Sequence, residues 1–575
     1  MKNTLKKVLK YSGKNKFLFI LTIILTIFTV AVSLYIPIIA GDAIDVISEN
    51  HGFDISLIKQ YLVKLAILAA AGGIIQWIVN VISNKIIYSI VRDIRNDTFA
   101  KIQHLPLSYL DSHPTGDIVS RIITDADNFA EGLLMGFTRF FTGVMTIFGT
   151  LFFMIKISRI ITPVVALLTP LSLFVAKFVA SHTHSMFSLK AKSSGKQTSF
   201  ISETVSGKKI ISSYNFENAT LENFDEINDE FAAHSLKAIF YSSITNPSTR
   251  FVNNIIYAVV AMTGAFCAIG GSVTIGGLTC FLTYAGQYAK PFNEISDVIA
   301  ELQNSIACAE RLFEIIDCEE EPSDKENAAA LANAEGSVKI ENVSFSYVKD
   351  RELIKNLNID ADKGSRIAIV GPTGCGKTTV INLLMRFYDV DDGKISLDNI
   401  DIRDIKRHSL RKNYGMVLQE TFLKTGTVRE NIAFGNPDAT DDEIIAAAKS
   451  AHAHSFIKRL PQGYDTVISD ESSGISQGQK QLICIARVML SLPPVLILDE
   501  ATSSIDTRTE LKIRSAFDKM MQGRTSFVVA HRLSTIKNSD LILVMKDGMV
   551  IEKGNHNELL EKGGFYAELY NSRMA

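Results

Sequence analysis

The sequence predicts a two-part chain: an α-helical domain suited to a bilayer, followed by an α/β nucleotide-binding domain with a phosphate loop. Three observations predict it. Long apolar runs crowd the front half, the rear half carries Gly371-Pro372-Thr373-Gly374-Cys375-Gly376-Lys377-Thr378, and a short apolar run ends in Asp499-Glu500. Length and composition agree. The 575 residues exceed one ordinary domain, and 47% hydrophobic content with positive mean hydropathy is high for a soluble protein.

Crossing the hydrocarbon core takes about 20 helical residues. Candidate spans lie near 17–40, 61–82, 132–155, 160–180, 251–271 and 276–299. The last is weakest, because Gln287, Lys290, Asn293, Glu294 and Asp297 interrupt it. Its polar face suits a helix turned toward a path through the bilayer or toward a partner chain. Lys2, Lys6, Lys7, Lys10, Lys14 and Lys16 precede the first span with no acidic residue. The positive-inside tendency therefore puts the N-terminus in the cytoplasm, and an even number of spans returns the rear half there. The loop expected after span one carries Asp42, Asp45, Glu49 and Asp54, in agreement, whereas Lys156 and Arg159 on an expected outer turn run against the trend. No small-residue cleavage site follows the first run, so it reads as a retained span rather than a signal peptide. Glu131, Arg139 and Thr142 fall near one face of span three, and Asn253 and Asn254 add polarity to span five. Ionisable groups at such depth are functional candidates by default.

Two stretches between spans, about 83–131 and 181–250, are too long for turns and favour helix, so the membrane helices are expected to run on into the cytoplasm. Glu319 to Asn327 is a polar break. It divides a membrane domain, 1–318, and a linker, 319–336, from the nucleotide domain, 337–575.

In the rear half, Arg366 to Val370 suits a buried parallel strand, and G-x-x-x-x-G-K-T follows at once. Glycines let consecutive backbone N–H groups face a phosphate, and a helix opening at Lys377 adds its positive end. Lys377 is expected to reach the β- and γ-phosphates, and Thr378 to offer its hydroxyl to Mg²⁺. Val495 to Leu498 reads as a central strand delivering Asp499 and Glu500 at its carboxyl edge, where open α/β sheets bind ligands. Asp499 is placed to hold Mg²⁺ through water, and Glu500 to take a proton from an attacking water. His531 also ends an apolar run, Val528-Val529-Ala530-His531-Arg532.

These residues resemble a half-transporter of the ATP-binding cassette superfamily, of the bacterial multidrug and lipid exporter type, over almost the full length. Tyr347 resembles the aromatic that stacks on adenine, and Gln419 the glutamine that senses Mg²⁺ and the membrane domain. Ser476, Gly478 and Gln479 resemble the signature loop, Asp506 the aspartate of the next loop, and His531 the switch histidine at the γ-phosphate. The resemblance implies ATP contacts along the phosphate loop through Thr379, and Mg²⁺ at Thr378, Gln419 and Asp499. It further implies catalytic roles for Lys377, Glu500 and His531. It also implies a second half-transporter, because the family shares each ATP site between the phosphate loop of one chain and the signature of the other. The segment Ser108 to Asp117 resembles the first coupling segment, and Glu203 to Tyr214 the second.

One departure stands out. The family signature reads Leu-Ser-Gly-Gly-Gln, and here Ile475 takes the first position and Gln477 the third. A glycine permits close backbone approach and unusual dihedrals, and glutamine does not. The resemblance then points to a heterodimer with one weakened ATP site, with a symmetric homodimer as the alternative.

The implied activity is ATP-driven export of drugs, lipids or peptides by alternating access. Import on the same scaffold, and an ATP-gated channel or sensor, are the competing functions. A net charge of −2 and the lack of aromatic-interleaved basic runs give no reason to expect a nucleic-acid partner. The single tryptophan, Trp77, is expected to pack or to anchor at the membrane. Cys267, Cys280, Cys308, Cys318, Cys375 and Cys484 show no paired metal spacing and read as reduced thiols. A bulky reagent on Cys375, inside the phosphate loop, is expected to block ATPase activity, with ATP protecting.

Overall fold

The apolar runs of the front half fold into helices that continue well past the length a bilayer requires. The computed structural model describes residues 2–13, 16–49, 55–348, 351–418, 421–469, 474–499, 505–529 and 536–574. Lys14, Asp54, Gln419, Glu500 and His531 lie outside the described residues. The chain divides into two units, Met1–Leu105 with His113–Cys318, and Pro106–Ser112 with Glu319–Ala575.

In the first unit, α1 (Lys2–Ser12) and α2 (Lys16–Glu49) precede α3 (Ile55–Ile102). After the short α4 (Leu107–Ser112), a continuous helical run, α5, extends over Thr115–Ile157. Then come α6 (Ile161–Ser206), the short α7 (Lys208–Ser213), α8 (Glu217–Ile269) and α9 (Ile275–Asp317). Asp42, Asp45 and Glu49, expected in a loop, instead extend α2 by about two turns beyond the apolar run. Stretches over Lys16–Ser48, Ile55–Ile102, Thr115–Ile157 and Arg250–Ile269 are long and apolar enough to cross a membrane. Exposed Ile67, Ile74 and Trp77 on α3 fit a lipid-facing surface. The spans expected at 160–180 and 276–299 lie on α6 and α9 but are not among those four. Side chains at 170–173, 175–184 and 293–297 are outside the described set, and Gln287 and Lys290 interrupt the apolar stretch of α9.

Close helix contact in this unit rests on glycines, since small residues let backbones approach where no hydrophobic driving force separates protein from lipid. A Cβ on Gly276 would lie 2.0 Å from the Gly41 carbonyl oxygen, so α2 and α9 touch backbone to backbone. Asp45 reinforces that contact, accepting from Gly276 N at 2.6 Å and from Thr274 Oγ1 at 2.7 Å. Gly132 and Gly136, one turn apart on α5, face Ser305 and Leu302 of α9, where added Cβ atoms would meet side chains at 2.4 and 2.2 Å. At the cytoplasmic end, α1 is held by Tyr11, which donates to Asp97 at 2.7 Å, and by Lys7, which pairs with Asp317 and sits over the Phe313 ring.

The second unit contains two main sheets. Strands β1 (Val338–Phe345), β2 (Ile354–Ala361), β4 (Asp392–Leu397) and β5 (Ile400–Asp401) form an antiparallel sheet in the order β2-β1-β4-β5. Strands β3 (Arg366–Val370), β6 (Tyr414–Val417), β9 (Val495–Asp499), β10 (Thr525–Val529), β11 (Leu541–Lys546) and β12 (Met549–Gly554) form the other, in the order β12-β11-β3-β10-β9-β6. The short strands β7 (Gly426–Thr427) and β8 (Val467–Ile468) pair separately. All pairings in the second sheet are parallel except β11 with β12. That explains why Val495 to Leu498 of β9 read as an unbroken apolar run, for both faces are covered and every residue of β9 and β10 is buried, Thr525 and Ser526 included. The segment holding α4 belongs with this unit, and Tyr388 donates a hydrogen bond to Asp111 there.

Gly276→Ala is expected to destabilise the membrane unit by about 1–3 kcal/mol, the usual cost of overpacking. Gly271→Ala, in open space but at φ +71°, tests glycine loss without a clash. Detergent-solubilised thermal unfolding checks this, and equal melting temperatures for Gly276→Ala and the parent would contradict the backbone contact.

Candidate nucleotide site

Strand order assembles this site. β10 lies between β3 and β9, and Val529 is the partner of both Ile369 and Asp499. With strands about 4.8 Å apart, Asp499 sits about 10 Å across the sheet from the end of β3, at the carboxyl edge from which the loop 371–376 departs. The loop turns through Gly374 at φ +84° and Gly376 at φ +100°, a region where only glycine is unstrained. A Cβ at Gly376 would also fall 2.6 Å from Ile354 Cδ1. The helix that follows, α10 (Lys377–Leu384), then presents its N-terminus to the curl of the loop.

Lys377 is folded back into that curl. Its Nζ donates to the carbonyl oxygens of Gly371 at 3.0 Å and Pro372 at 2.8 Å, and the side chain is only 8% exposed. An ammonium held over a glycine-rich loop at a helix N-terminus is a receptor for an oligophosphate. Pro372, Thr373 and Gly374 are exposed along the loop. Thr378 is exposed on the first turn of α10, while Thr379 is buried. Among the described residues, no three His, Cys, Asp or Glu side chains gather as a metal centre. Thr378 and Asp499, with Gln419, offer oxygens alone, which fits Mg²⁺ completed by phosphate and water.

Tyr347 stands beside the loop on the antiparallel side. Its ring meets Phe345 and Tyr388 edge-on, with centroids 4.9 and 5.0 Å away, and its hydroxyl accepts from Asn382 Nδ2 of α10 at 3.1 Å. At 45% exposure, the ring still offers a face for stacking. Neither Asn382 nor Tyr388 carries a motif, so sequence reading passed over both.

Ser476, Gly478 and Gln479 open a different helix, α11 (Gln477–Ser491). Ser476 caps it in a reciprocal box: Gln479 N donates to Ser476 Oγ at 3.3 Å, and Ser476 N to Gln479 Oε1 at 3.0 Å. Gly478 is buried, and a Cβ there would lie 2.6 Å from Thr509 Cγ2 on α12 (Thr507–Met521). Asp506 caps α12, accepting from Thr509 N at 2.9 Å, and that backbone hydrogen bond holds its carboxyl below the usual range. Among the described residues, no hydrogen bond or ion pair joins the signature residues to the phosphate loop.

Gln477 corrects one expectation. Position 477 is the first residue of α11 and is absent from the positive-φ residues, so its backbone does not require glycine. Its side chain is exposed and turned aside, donating from Nε2 to Thr421 Oγ1 at 3.0 Å. What distinguishes it from glycine is the presence of that side chain, not a strained dihedral.

The Cys375 expectation also changes. Its thiol is 4% exposed, and burial pushes its pKa up, although nearby Lys377 acts in the opposite direction. Because the thiolate is the nucleophile, maleimide at pH 7 is expected to label Cys375 more slowly than half-buried Cys318, with the rate rising as pH rises. ATP should slow it further. Peptide mass spectrometry of timed samples checks this, and equal labelling rates at the two cysteines would contradict the burial.

Comparison with known proteins agrees with the site. The ABC transporter transmembrane region family matches residues 19–292, and the ABC transporter family matches residues 354–503. An uncharacterised ABC transporter ATP-binding protein of Bacillus subtilis is 39% identical over 100% of this chain and 94% of its own length. A fatty acid ABC transporter ATP-binding/permease protein of Mycobacterium bovis is 39% identical over 90% of this chain and 82% of its own. An ATP-dependent lipid A-core flippase of Desulfotalea psychrophila is 36% identical over 87% of each. Among solved structures, a bacterial Atm1-family ABC exporter with ATP bound matches with a TM-score of 0.77 at 28% identity, covering 97% of both chains. The chain is therefore a membrane protein that binds ATP in a cytoplasmic ATPase domain, performs ATP-driven export and acts as a dimer. It belongs to the ATP-binding cassette transporter family, as a half-transporter of the exporter type.

Proposed function

We propose that this exporter subunit supplies the hydrolytic half of one ATP site in a heterodimer, while its altered signature completes a weaker second site. The observation that carries this reading is Gln477, whose exposed side chain stands at the N-terminus of α11 where the family has only a hydrogen. Lys377, Glu500 and His531 are all present, so the hydrolytic residues on this side are complete.

Tyr347 stacks on adenine, and the loop from Gly371 to Thr379 encloses the phosphates, with Lys377 at the β- and γ-positions. Thr378, Gln419 and Asp499 hold Mg²⁺, which neutralises phosphate charge when bound. Glu500, following Asp499 at the sheet edge, accepts a proton from the attacking water, and His531 contacts the γ-phosphate. Ser476, Gly478, Gln479 and Asp506 serve the partner's nucleotide. The chain divides functionally into the membrane domain 1–318, a linker 319–336 and the ATPase domain 337–575. A symmetric homodimer is the second reading. One observation favours it: the Gln477 side chain is turned onto Thr421 rather than over the N-terminus of α11, where Ser476 takes the Gln479 N–H.

ATPase measurements on the purified chain separate the two readings. Low activity alone, restored by a second half-transporter with an intact signature, is expected; high activity from the pure homodimer would overturn the heterodimer. Glu500→Gln is expected to trap ATP and slow turnover about 10²- to 10⁴-fold, the range for loss of a general base. Near-normal turnover in that variant would remove Glu500 from the role.

A further inference from the structure

Three aromatic rings stand edge-on to one another beside the phosphate loop. Phe345, at the end of β1, meets Tyr347 with centroids 4.9 Å apart at 85° and Tyr388 at 5.6 Å and 64°, and Tyr347 meets Tyr388 at 5.0 Å and 88°. Phe345 is buried, which anchors the group in the antiparallel sheet, and Tyr388 is held in turn by its hydrogen bond to Asp111. These contacts locate the Tyr347 ring without fixing its tilt, because nearly half of its surface faces solvent. Its hydroxyl supplies the remaining restraint by accepting from Asn382 Nδ2 at 3.1 Å.

Asn382 is an unusual residue where it stands. Asparagine is a weak helix former, favoured at caps and turns because its side chain competes for backbone groups, yet this one lies inside the eight-residue α10. Among the described residues its side chain makes one hydrogen bond, the one to Tyr347, and it caps neither end of the helix. Its position explains what that bond can do. Thr378 and Asn382 are four residues apart, so they share one face of α10, separated by about 6 Å along its axis. The face that presents Thr378 at the phosphate-loop end therefore also presents the amide that holds the Tyr347 ring.

We infer that Asn382 is a positioning residue for ATP: by tying the Tyr347 hydroxyl to α10, it sets the span between the base-stacking ring and the phosphate loop from which the same helix starts. A nucleoside triphosphate must engage both ends at once, and a ring already held at the right span need not be ordered by the ligand. A bare polyphosphate meets the loop alone and gains nothing from that restraint. The inference rests on the reading of Tyr347 as the adenine-side aromatic and adds the group that aims it.

The test measures equilibrium binding of ATP and of inorganic tripolyphosphate to the purified full-length chain in nanodiscs, by calorimetry. Asn382→Ala is expected to weaken ATP binding about two- to tenfold, the net effect of one hydrogen bond, and to leave tripolyphosphate at the parent affinity. Tyr347→Phe removes the same bond from the other side and should weaken ATP to the same degree, while the double variant should bind ATP no more weakly than either single variant. If Asn382→Ala fails to fold, Tyr347→Phe decides, since deleting a hydroxyl from a half-exposed ring leaves its packing intact. Equal loss of ATP and tripolyphosphate affinity in Asn382→Ala would make Asn382 a structural residue of α10 and overturn the inference, as would unchanged ATP affinity in both single variants. Tyr347→Ala separates this inference from the reading beneath it. If that variant binds ATP much more weakly while Tyr347→Phe and Asn382→Ala match the parent, stacking stands and the positioning role falls; if it binds ATP as the parent does, the stacking reading falls and takes the positioning role with it.

Discussion

Parallel pairing of β3, β10 and β9 is the constraint on which the ATPase site depends. It brings the carboxyl ends of strands far apart in sequence to one edge, so that the loop after Val370 and the carboxylate of Asp499 open on the same side. The arrangement tolerates little variation inside the sheet, because every residue of β9 and β10 is buried. A one-residue slip in either strand would move Asp499 by about 3.3 Å along the sheet and turn it to the other face. The glycines of the loop matter for the same reason. They let the chain reverse at the sheet edge without a Cβ striking Ile354 or the Met545 backbone.

Around this edge, polar side chains do two jobs. Ser476, Gln479 and Asp506 resemble nucleotide-contacting residues, yet each is occupied within the chain as a helix cap. Capping fixes where α11 and α12 begin, so the capping hydrogen bonds also set the position of any group offered to a neighbouring subunit. Gly478 shows the same economy: its missing side chain lets α11 pack against Thr509 and Ile505. Residues that look reserved for a ligand are thus also required for the fold that presents them.

The sequence was legible where chemistry is carried by neighbours in the chain. The phosphate loop directly follows its strand, and β9 announces itself as a run of apolar residues closed by two acids, so fold class and sheet edge could be read without coordinates. Features that depend on distant pairs could not. The direction of the Gln477 side chain depends on Thr421, and the anchoring of Tyr347 on Asn382. In the membrane unit, apolar content revealed helices but not their contacts. Gly132 and Gly136 carry no signal of which helix they face, and Asp45 read as a loop acid although it clasps the start of α9. The weakly apolar last span has a physical reason as well: Gln287 and Lys290 line a cavity, and a helix that borders a polar cavity cannot be apolar all round.

The short helix Leu107–Ser112 draws these observations together. In chain order it joins α3 to α5, two of the helices that border the cavity, yet its compact contacts are with the nucleotide-binding unit. There Asp111 accepts from Tyr388, Tyr388 packs edge-on against Tyr347, and Tyr347 accepts from Asn382 on the helix that follows the phosphate loop. Each link is short and directional, so displacement of α10 or of the Tyr347 ring cannot leave Asp111 unaffected. A rigid aromatic pair transmits such a displacement better than flexible side chains would, because packed rings have no free rotamer in which to absorb it. Tyr347 and the short helix that holds Asp111 are therefore parts of one packed cluster within the nucleotide-binding unit, joined through Tyr388.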